Sequence, residues 1–538
     1  MSAMHYSVIL FFVLALIMHG CHTIWQLKKQ LHILQLNSYF NRRYFRWLQK
    51  NRAVVFSSKG LEPLLSLVGM FFQGPLIVLF LFTLSYSKLF LTRPHLPEKK
   101  PLVFTPRAMR LMLANLIFLC LLDLGLVFIW WQAGDFWLMI FIGALVIYNF
   151  FLPFFLMLTN IILLPLEELI KSWYVQDARR YLRTLTNLKV VGITGSFGKT
   201  TTKYVLTEIL RQRFNVLKTP GSYNTTMGVT KVIRAELKPL HDIFVVEMSA
   251  KKPGDIQEIC DLVRPKYGLI TAIGEQHLET FKTLENIQQT KYELIAALPK
   301  DGTAFFNLDD RHCQELAHIS TGHRVGYGID APNLDYRVVD LTLNGFGSSF
   351  TVVRARDNAQ VCFQTKLLGR QNIYNVLAAI AIASELGMEL SQMVYPLRQV
   401  MAIPHRLALK RVGTGIIFID DTFNSNPVGS NMALEVLAQI SGNRKIIVTP
   451  GMVELGVKED EYNQLLGAAI AAVCNYVILV GRKQTLALQQ GLQAKQYPLK
   501  QLFIAVDFNE AKQHLEQILQ AGDVVLFEND LPDNYNEC

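Results

Sequence analysis

Four apolar blocks before about Leu164 constrain this chain more than any other feature. Tyr6 to Trp25, Leu111 to Trp131 and Phe136 to Met157 each hold about 20 mostly apolar residues, enough to cross a hydrocarbon core as a helix. Without water to bond their N–H and C=O groups, such segments must pair those groups internally, and a helix does so. The fourth block, Leu61 to Leu91, is too long for one comfortable span and is interrupted at Gly74-Pro75. No small-residue cleavage site follows the first block, which therefore reads as an anchor rather than a removed signal.

Charge orients these blocks. Lys28 to Lys59 carries eight basic residues and no acidic one, much of the net charge of +10. Beside apolar helices, that patch fits an anionic lipid surface better than nucleic acid, and no nucleic-acid partner is expected. The basic loop Arg93 to Arg110 is expected inside, and the turn with Asp135 outside. A hairpin or re-entrant pass broken at Gly74-Pro75 keeps Lys28 to Lys59 inside; a single pass does not. Seven scattered cysteines without paired spacing read as reduced thiols, not as a disulfide framework or metal site.

After Leu164 apolar and charged residues alternate as in a globular α/β protein. Here VVGITGSFGKTTTKYVL, from Val190, reads as a strand, a Gly-rich turn and a helix. Gly195 and Gly198 let the backbone approach a phosphate closely, and amides at a helix N-terminus point at it. Ser196 and Phe197 complete the loop, Lys199 supplies charge, and the hydroxyl of Thr200, followed by Thr201, is placed to hold Mg²⁺. The spacing is the short GxxGKT, because Ile193 stands at the first glycine position of the longer pattern.

The sequence from about Lys189 resembles the Mur ligases, the ATP-dependent amide-forming enzymes of cell-wall synthesis. TPGSYNTTMGVT at Thr219, VVEMSAKKPGDI at Val245, ITAIGEQHLETF at Ile270, TKYEL at Thr290, NLDD at Asn307, GRQNIYN at Gly369, IPHR at Ile403, DDTFNSNP at Asp420 and GMVELG at Gly451 follow in the family's order. The resemblance is nearest to the MurF type, which adds D-alanyl-D-alanine to a UDP-linked muramoyl tripeptide. It implies ATP and two Mg²⁺ ions, one on Thr200 and Glu247, the other between His277 and a carbamylated Lys291. Lys199, His277 and Lys291 are then the catalytic set. Asn307, Asn372, Asn375, Arg406 and Asp420 join the phosphate loop in holding the nucleotide, Asn372 and Asn375 near the adenine. Chemistry fits: an acyl phosphate formed from ATP and a carboxylate needs clustered positive charge before an amine displaces the phosphate.

Departures accompany the resemblance. Only about 30 residues separate the last expected span from Val190, too few for the family's uridine-binding domain, and VVLFENDLPDNYNEC replaces its basic tail. The expected architecture is α/β: transmembrane helices over 1–165, a linker over 166–185, a P-loop doubly wound ATPase domain over 186–407, β-rich around Tyr336 to Thr365, and a smaller Rossmann-like domain over 408–538. Expected function is membrane-tethered ligation of a muropeptide-like carboxylate, UDP- or lipid-linked, to an amino acid or dipeptide, at the cytoplasmic face of the cell membrane. Alternatives are an ATPase-coupled transporter, for which Asp123 and Asn115 are the polar candidates within the spans, a polyamino-acid synthase of the same superfamily, and an inactive scaffold.

Overall fold

The computed structural model describes residues 3–56, 58–69, 75–92, 101–133, 136–276, 278–413, 415–423 and 425–531. Contacts divide the chain into two compact units, one essentially Met1–Ile170 and the other Lys171–Asp530.

The first unit is helical, built on Ala3–Leu36, Asn41–Lys50, Pro75–Leu91, Pro106–Ala133, Phe136–Phe150 and the first part of Leu152–Arg183. Among the described residues, three of its helices are long and apolar enough to cross a membrane. Its polarity is inverted relative to a soluble bundle. Leu10, Leu113, Leu121, Leu124 and Ile162 are exposed, whereas His19, Thr23, Asn115 and Asn149 are buried. The buried groups bond one another: Thr23 Oγ1 donates to Asn149 Oδ1 at 2.9 Å, Asn149 Nδ2 lies 2.6 Å from His19 Nε2, and Tyr44 OH donates to Gln30 Oε1 at 2.6 Å. Asn115 Nδ2 is spent on Leu111 O of its own helix. A 3₁₀ helix, Ser58–Gly69, and the helix Pro75–Leu91 flank residues 70–74, which lie outside the described residues with Gly74 and Asp135. Lys88 Nζ and Glu62 Oε2, 2.9 Å apart, join these two segments.

Two expectations change. Phe136 to Met157 is not one helix: the first ends at Phe150 and the next starts at Leu152. Pro153 explains the break, because it has no N–H to give and is tolerated in a first helical turn, not an interior one. Residues 166–185 are helical as far as Arg183, and Val175 and Ala178 are buried in the core of the second unit. Spacing of Val175, Ala178 and Leu182 at intervals of three and four gives that helix an apolar face.

The second unit contains two mixed sheets. Nine strands form the larger: β1 (Lys189–Thr194), β2 (Val216–Lys218), β3 (Ile243–Glu247), β4 (Tyr267–Ile270), β5 (Thr303–Asn307), β6 (His323–Gly328), β7 (Tyr336–Asn344), β8 (Gly347–Arg354) and β9 (Ala359–Thr365). Their order is β2-β3-β1-β4-β5-β6-β7-β8-β9, parallel through β7 and antiparallel from β7 to β9. The smaller sheet has β10 (Ala408–Val412), β11 (Ile416–Asp421), β12 (Lys445–Thr449), β13 (Tyr476–Val480), β14 (Leu502–Ala505) and β15 (Val524–Glu528), in the order β10-β11-β15-β12-β13-β14, with only β10 antiparallel. Strands β1, β3, β4 and β5 read as unbroken apolar runs because both faces are buried. Their carboxyl ends meet where the order turns about β1, the crevice in which open α/β sheets bind ligands.

Candidate active site

Four of the motifs lie at that edge. β1 ends at Thr194, and the loop 195–198 leads into the helix Lys199–Leu210. Gly195 and Gly198 have φ of +148° and +83°. A Cβ at Gly195 would collide with Thr271 Oγ1, and one at Gly198 with Asn375 Oδ1, so only glycine fits either place. Ser196 Oγ donates to Gly274 O at 2.8 Å and accepts from Gly274 N at 3.0 Å. Thr271 Oγ1 donates to Phe197 O, and Thr201 is buried. Lys199 Nζ folds back on the loop, donating to Gly195 O at 2.6 Å and Ser196 O at 3.1 Å.

Glu247 ends β3 with both carboxylate oxygens engaged. Lys203 Nζ donates to Oε2 at 2.7 Å and Asn224 Nδ2 to Oε1 at 3.0 Å. Lys203 Nζ also donates to Gly221 O at 2.9 Å, tying the phosphate-loop helix to the turn after Thr219. Burial opposes ionisation of Glu247, but Lys203 and Lys199 outweigh it and hold its carboxyl below the usual range. Sequence reasoning missed Lys203; its signal is the i, i+4 spacing from Lys199. Removing one partner of a buried pair leaves an uncompensated charge. Lys203→Met is therefore expected to destabilise the protein by about 3–5 kcal/mol, and Lys203→Met/Glu247→Met by less than the sum of the single changes. Denaturant unfolding of the three variants checks this; additive losses would show that the two side chains are not coupled.

Lys291 lies on the helix Leu284–Ala296 and is buried. Burial, and secondarily the charge of Lys199, lower its pKa to about 7. Burial lowers that of Lys199 to about 8, with Glu247 opposing the shift. Arg406 Nη2 donates to Thr200 Oγ1 at 3.2 Å, and its guanidinium lies 4.5 Å from the centre of the Phe423 ring. Arg406, Lys199 and Lys203 each feel the charge of Glu247. Glu247 thus stands among three basic side chains near a helix N-terminus, an excess of positive charge that suits a polyanion. Thr200 and Glu247 offer the hard oxygen donors Mg²⁺ requires.

The remaining expected residues distribute unevenly. Asn307 is buried at the end of β5, where its Oδ1 accepts from Asp309 N at 3.1 Å. On the helix Arg370–Glu385, Asn375 Oδ1 accepts from Thr202 Oγ1 at 3.3 Å, and Asn375 Nδ2 donates to Asn372 Oδ1 at 3.1 Å. This brings Asn375 beneath the phosphate loop. Asp420, on β11, accepts from Thr422 Oγ1 at 2.7 Å and lies 3.1 Å from His405 Nδ1. Its neighbour Asp421 pairs in register with Glu528 of β15. Burial and the nearby Glu528 raise the Asp421 pKa to about 7, and burial raises that of Glu528 as well. His277 lies outside the described residues.

Residues 193–383 match the Mur ligase middle domain and 405–528 the Mur ligase, glutamate ligase domain. The UDP-N-acetylmuramoyl-tripeptide--D-alanyl-D-alanine ligase of Escherichia coli (strain K12) is 30% identical over 328 residues, which are 59% of this chain and 72% of that protein. The chain belongs to the Mur ligase family. Members of this family are ATP-dependent, ADP-forming acid–amino-acid ligases. The Synechocystis ligase of the same name is 32% identical over 53% of this chain and 60% of its own length. Among solved structures, a crystal structure of MurF from Acinetobacter baumannii matches with 26% identity and a TM-score of 0.61, over 68% of this chain and 78% of that one. MurF from Thermotoga maritima in complex with ADP matches with 25% identity and a TM-score of 0.59, over 67% and 80%. Both matched domains of this Mur ligase fall within Lys171–Asp530.

Proposed function

We propose that this Mur ligase is anchored in the cytoplasmic membrane and joins a muropeptide carboxylate to an amino acid or dipeptide at the expense of ATP. The observation that carries the reading is the buried carboxylate of Glu247 among Lys199, Lys203 and Arg406 near the N-terminus of the helix Lys199–Leu210. In this reading Gly195, Ser196, Phe197, Gly198, Lys199, Thr200 and Thr201 cradle the phosphates of ATP. Asn307, Asn372, Asn375, Arg406 and Asp420 complete the nucleotide site. Thr200 and Glu247 would hold one Mg²⁺, and His277 with Lys291, the latter as its carbamate, would hold a second; such ions would supply positive charge against the phosphate oxygens. Lys199 follows the charge that develops on the transferred phosphoryl group, and the amine then displaces phosphate from the acyl phosphate. Residues 186–407 and 408–538 act as the two ligase domains, with 1–165 as the membrane module. The exposed apolar side chains and buried polar groups of the helical unit support the anchor, because lipid reverses the usual inside and outside.

ADP release by the full-length protein, measured with each substrate class omitted in turn, tests the reaction. Release should require both a carboxylate and an amine; turnover of ATP alone, coupled to solute movement, would indicate a transporter. We place the carboxylate at the membrane, on a lipid-linked muropeptide, where tethering raises its effective concentration. Comparing the full chain with one beginning at Lys171 tests this, since Val175 and Ala178 belong to the ligase core and must be kept. The full chain should use the lipid-linked form at least about tenfold more efficiently than the UDP-linked form. Equal efficiency of both proteins on the UDP-linked tripeptide would leave the helices as an anchor only.

A further inference from the structure

One loop of the second unit touches the phosphate loop and the second sheet's domain through consecutive residues. Residues 271–276 follow β4. Gly274 clasps Ser196 of the phosphate loop through both its N–H and its carbonyl, at 3.0 and 2.8 Å. The next residue, Glu275, faces the other domain. Lys458 Nζ donates to Glu275 Oε1 at 2.8 Å, and Tyr462 OH donates to Glu275 Oε2. Lys458 ends the short turn Gly456–Lys458, and Tyr462 lies in the first turns of the helix Glu459–Val473. The loop is braced from behind by Ile273 N, which donates to Asp310 Oδ2 at 3.0 Å. Glu275 is thus held by two donors from a separate domain, one peptide away from the residue that shapes the phosphate loop.

We propose that Glu275, Lys458 and Tyr462 form an interdomain catch that sets the phosphate loop when the two domains close. The three are positioning residues, acting through Gly274 on Ser196; the inference rests on the ligase reading above. When the domains are together, Lys458 and Tyr462 fix the Glu275 carboxylate, and the Gly274 peptide then holds Ser196 in its loop conformation. Arg406, from the segment entering the smaller sheet, reaches Thr200 in the same arrangement. Opening releases Glu275, and the loop loses one of its two supports. Such a device commits the ATP site only when the domain that completes it is in place.

The test uses the full-length protein and its Glu275→Gln, Lys458→Met and Tyr462→Phe variants. Amide hydrogen exchange is followed in residues 195–201 without substrates, and ligation kinetics are measured beside it. Glu275→Gln and Lys458→Met are each expected to speed exchange in that loop and to lower kcat/KM by about 10-fold or more, with the ADP Kd changed less than about threefold. Glu275→Lys/Lys458→Glu, which restores the pair in reverse, should recover at least about half of the lost effect on a logarithmic scale. Unchanged exchange at 195–201 in folded single variants, or strictly additive effects in the double variant, would overturn the catch and leave the ligase reading intact. Faster exchange in a protein that ligates nothing would support the catch and count against the ligase reading.

Discussion

Lys199→Ala is expected to lower ligation by about 10²-fold or more, the range found when one preorganised charge or donor facing a developing anion is lost. The ammonium stands at the N-terminus of the helix Lys199–Leu210 and donates to Gly195 O and Ser196 O. A γ-phosphate offers it a stronger, charge-assisted partner in place of those carbonyls. The fold should survive, because the change removes a desolvated cation along with its two hydrogen bonds. Single-turnover ligation with a thermal melt of the same preparation checks both halves. Near-normal ligation by a folded variant would remove Lys199 from the phosphate site.

The Lys291 variants separate a carbamate from an ordinary lysine. A pKa of about 7 leaves much of the amine neutral at neutral pH, and only the neutral amine takes up CO₂. If Lys291 is carbamylated and holds a metal, Lys291→Ala should lose activity by about 10²-fold or more. Acetate or another short carboxylic acid, entering the vacated space, should restore part of that loss, and Lys291→Glu should keep more activity than Lys291→Ala. Raising the pH from 6 to 8 should increase wild-type activity and its response to bicarbonate, since the proton leaves Lys291 over that interval. Full activity of Lys291→Ala without added acid would return Lys291 to a structural role.

The legible parts of this chain are those where chemistry permits few residue types. A turn that brings the backbone close to a ligand favours glycine, and Gly195 and Gly198 both hold conformations that a side chain would block. The apolar stretch before the Gly-rich turn reads as a strand and is β1, and the β-rich stretch from Tyr336 to Thr365 holds β7, β8 and β9. Lys203 escaped because a lysine four residues into a helix resembles a solvated one; only the fold brings Glu247 to it. The same is true of Glu275, whose partners come from Lys458 and Tyr462, almost two hundred residues away in sequence. In residues 166–185 the charges hide the apolar face of Val175 and Ala178, and along the run from Phe136 hydropathy does not register the backbone demand of Pro153.

The side-by-side acids Asp421 and Glu528 give the smaller domain an unusual relation to acidity. The carboxyl of Asp421 titrates near 7 in the fold, against 3.8 when free. Between those values the folded chain retains a proton that the unfolded chain has released. Raising the pH across this interval therefore drains stability from the fold, the reverse of a salt-bridged carboxylate. Lys291 works the other way: its burial is costly below about 7 and relieved as the pH climbs toward 10.5. The two burdens overlap most heavily around neutrality. Taken alone, these groups make the ligand-free protein least stable near the pH at which its Lys291 amine becomes reactive, so titration of its melting temperature should show a shallow dip there that Lys291→Met and Asp421→Asn each fill in part.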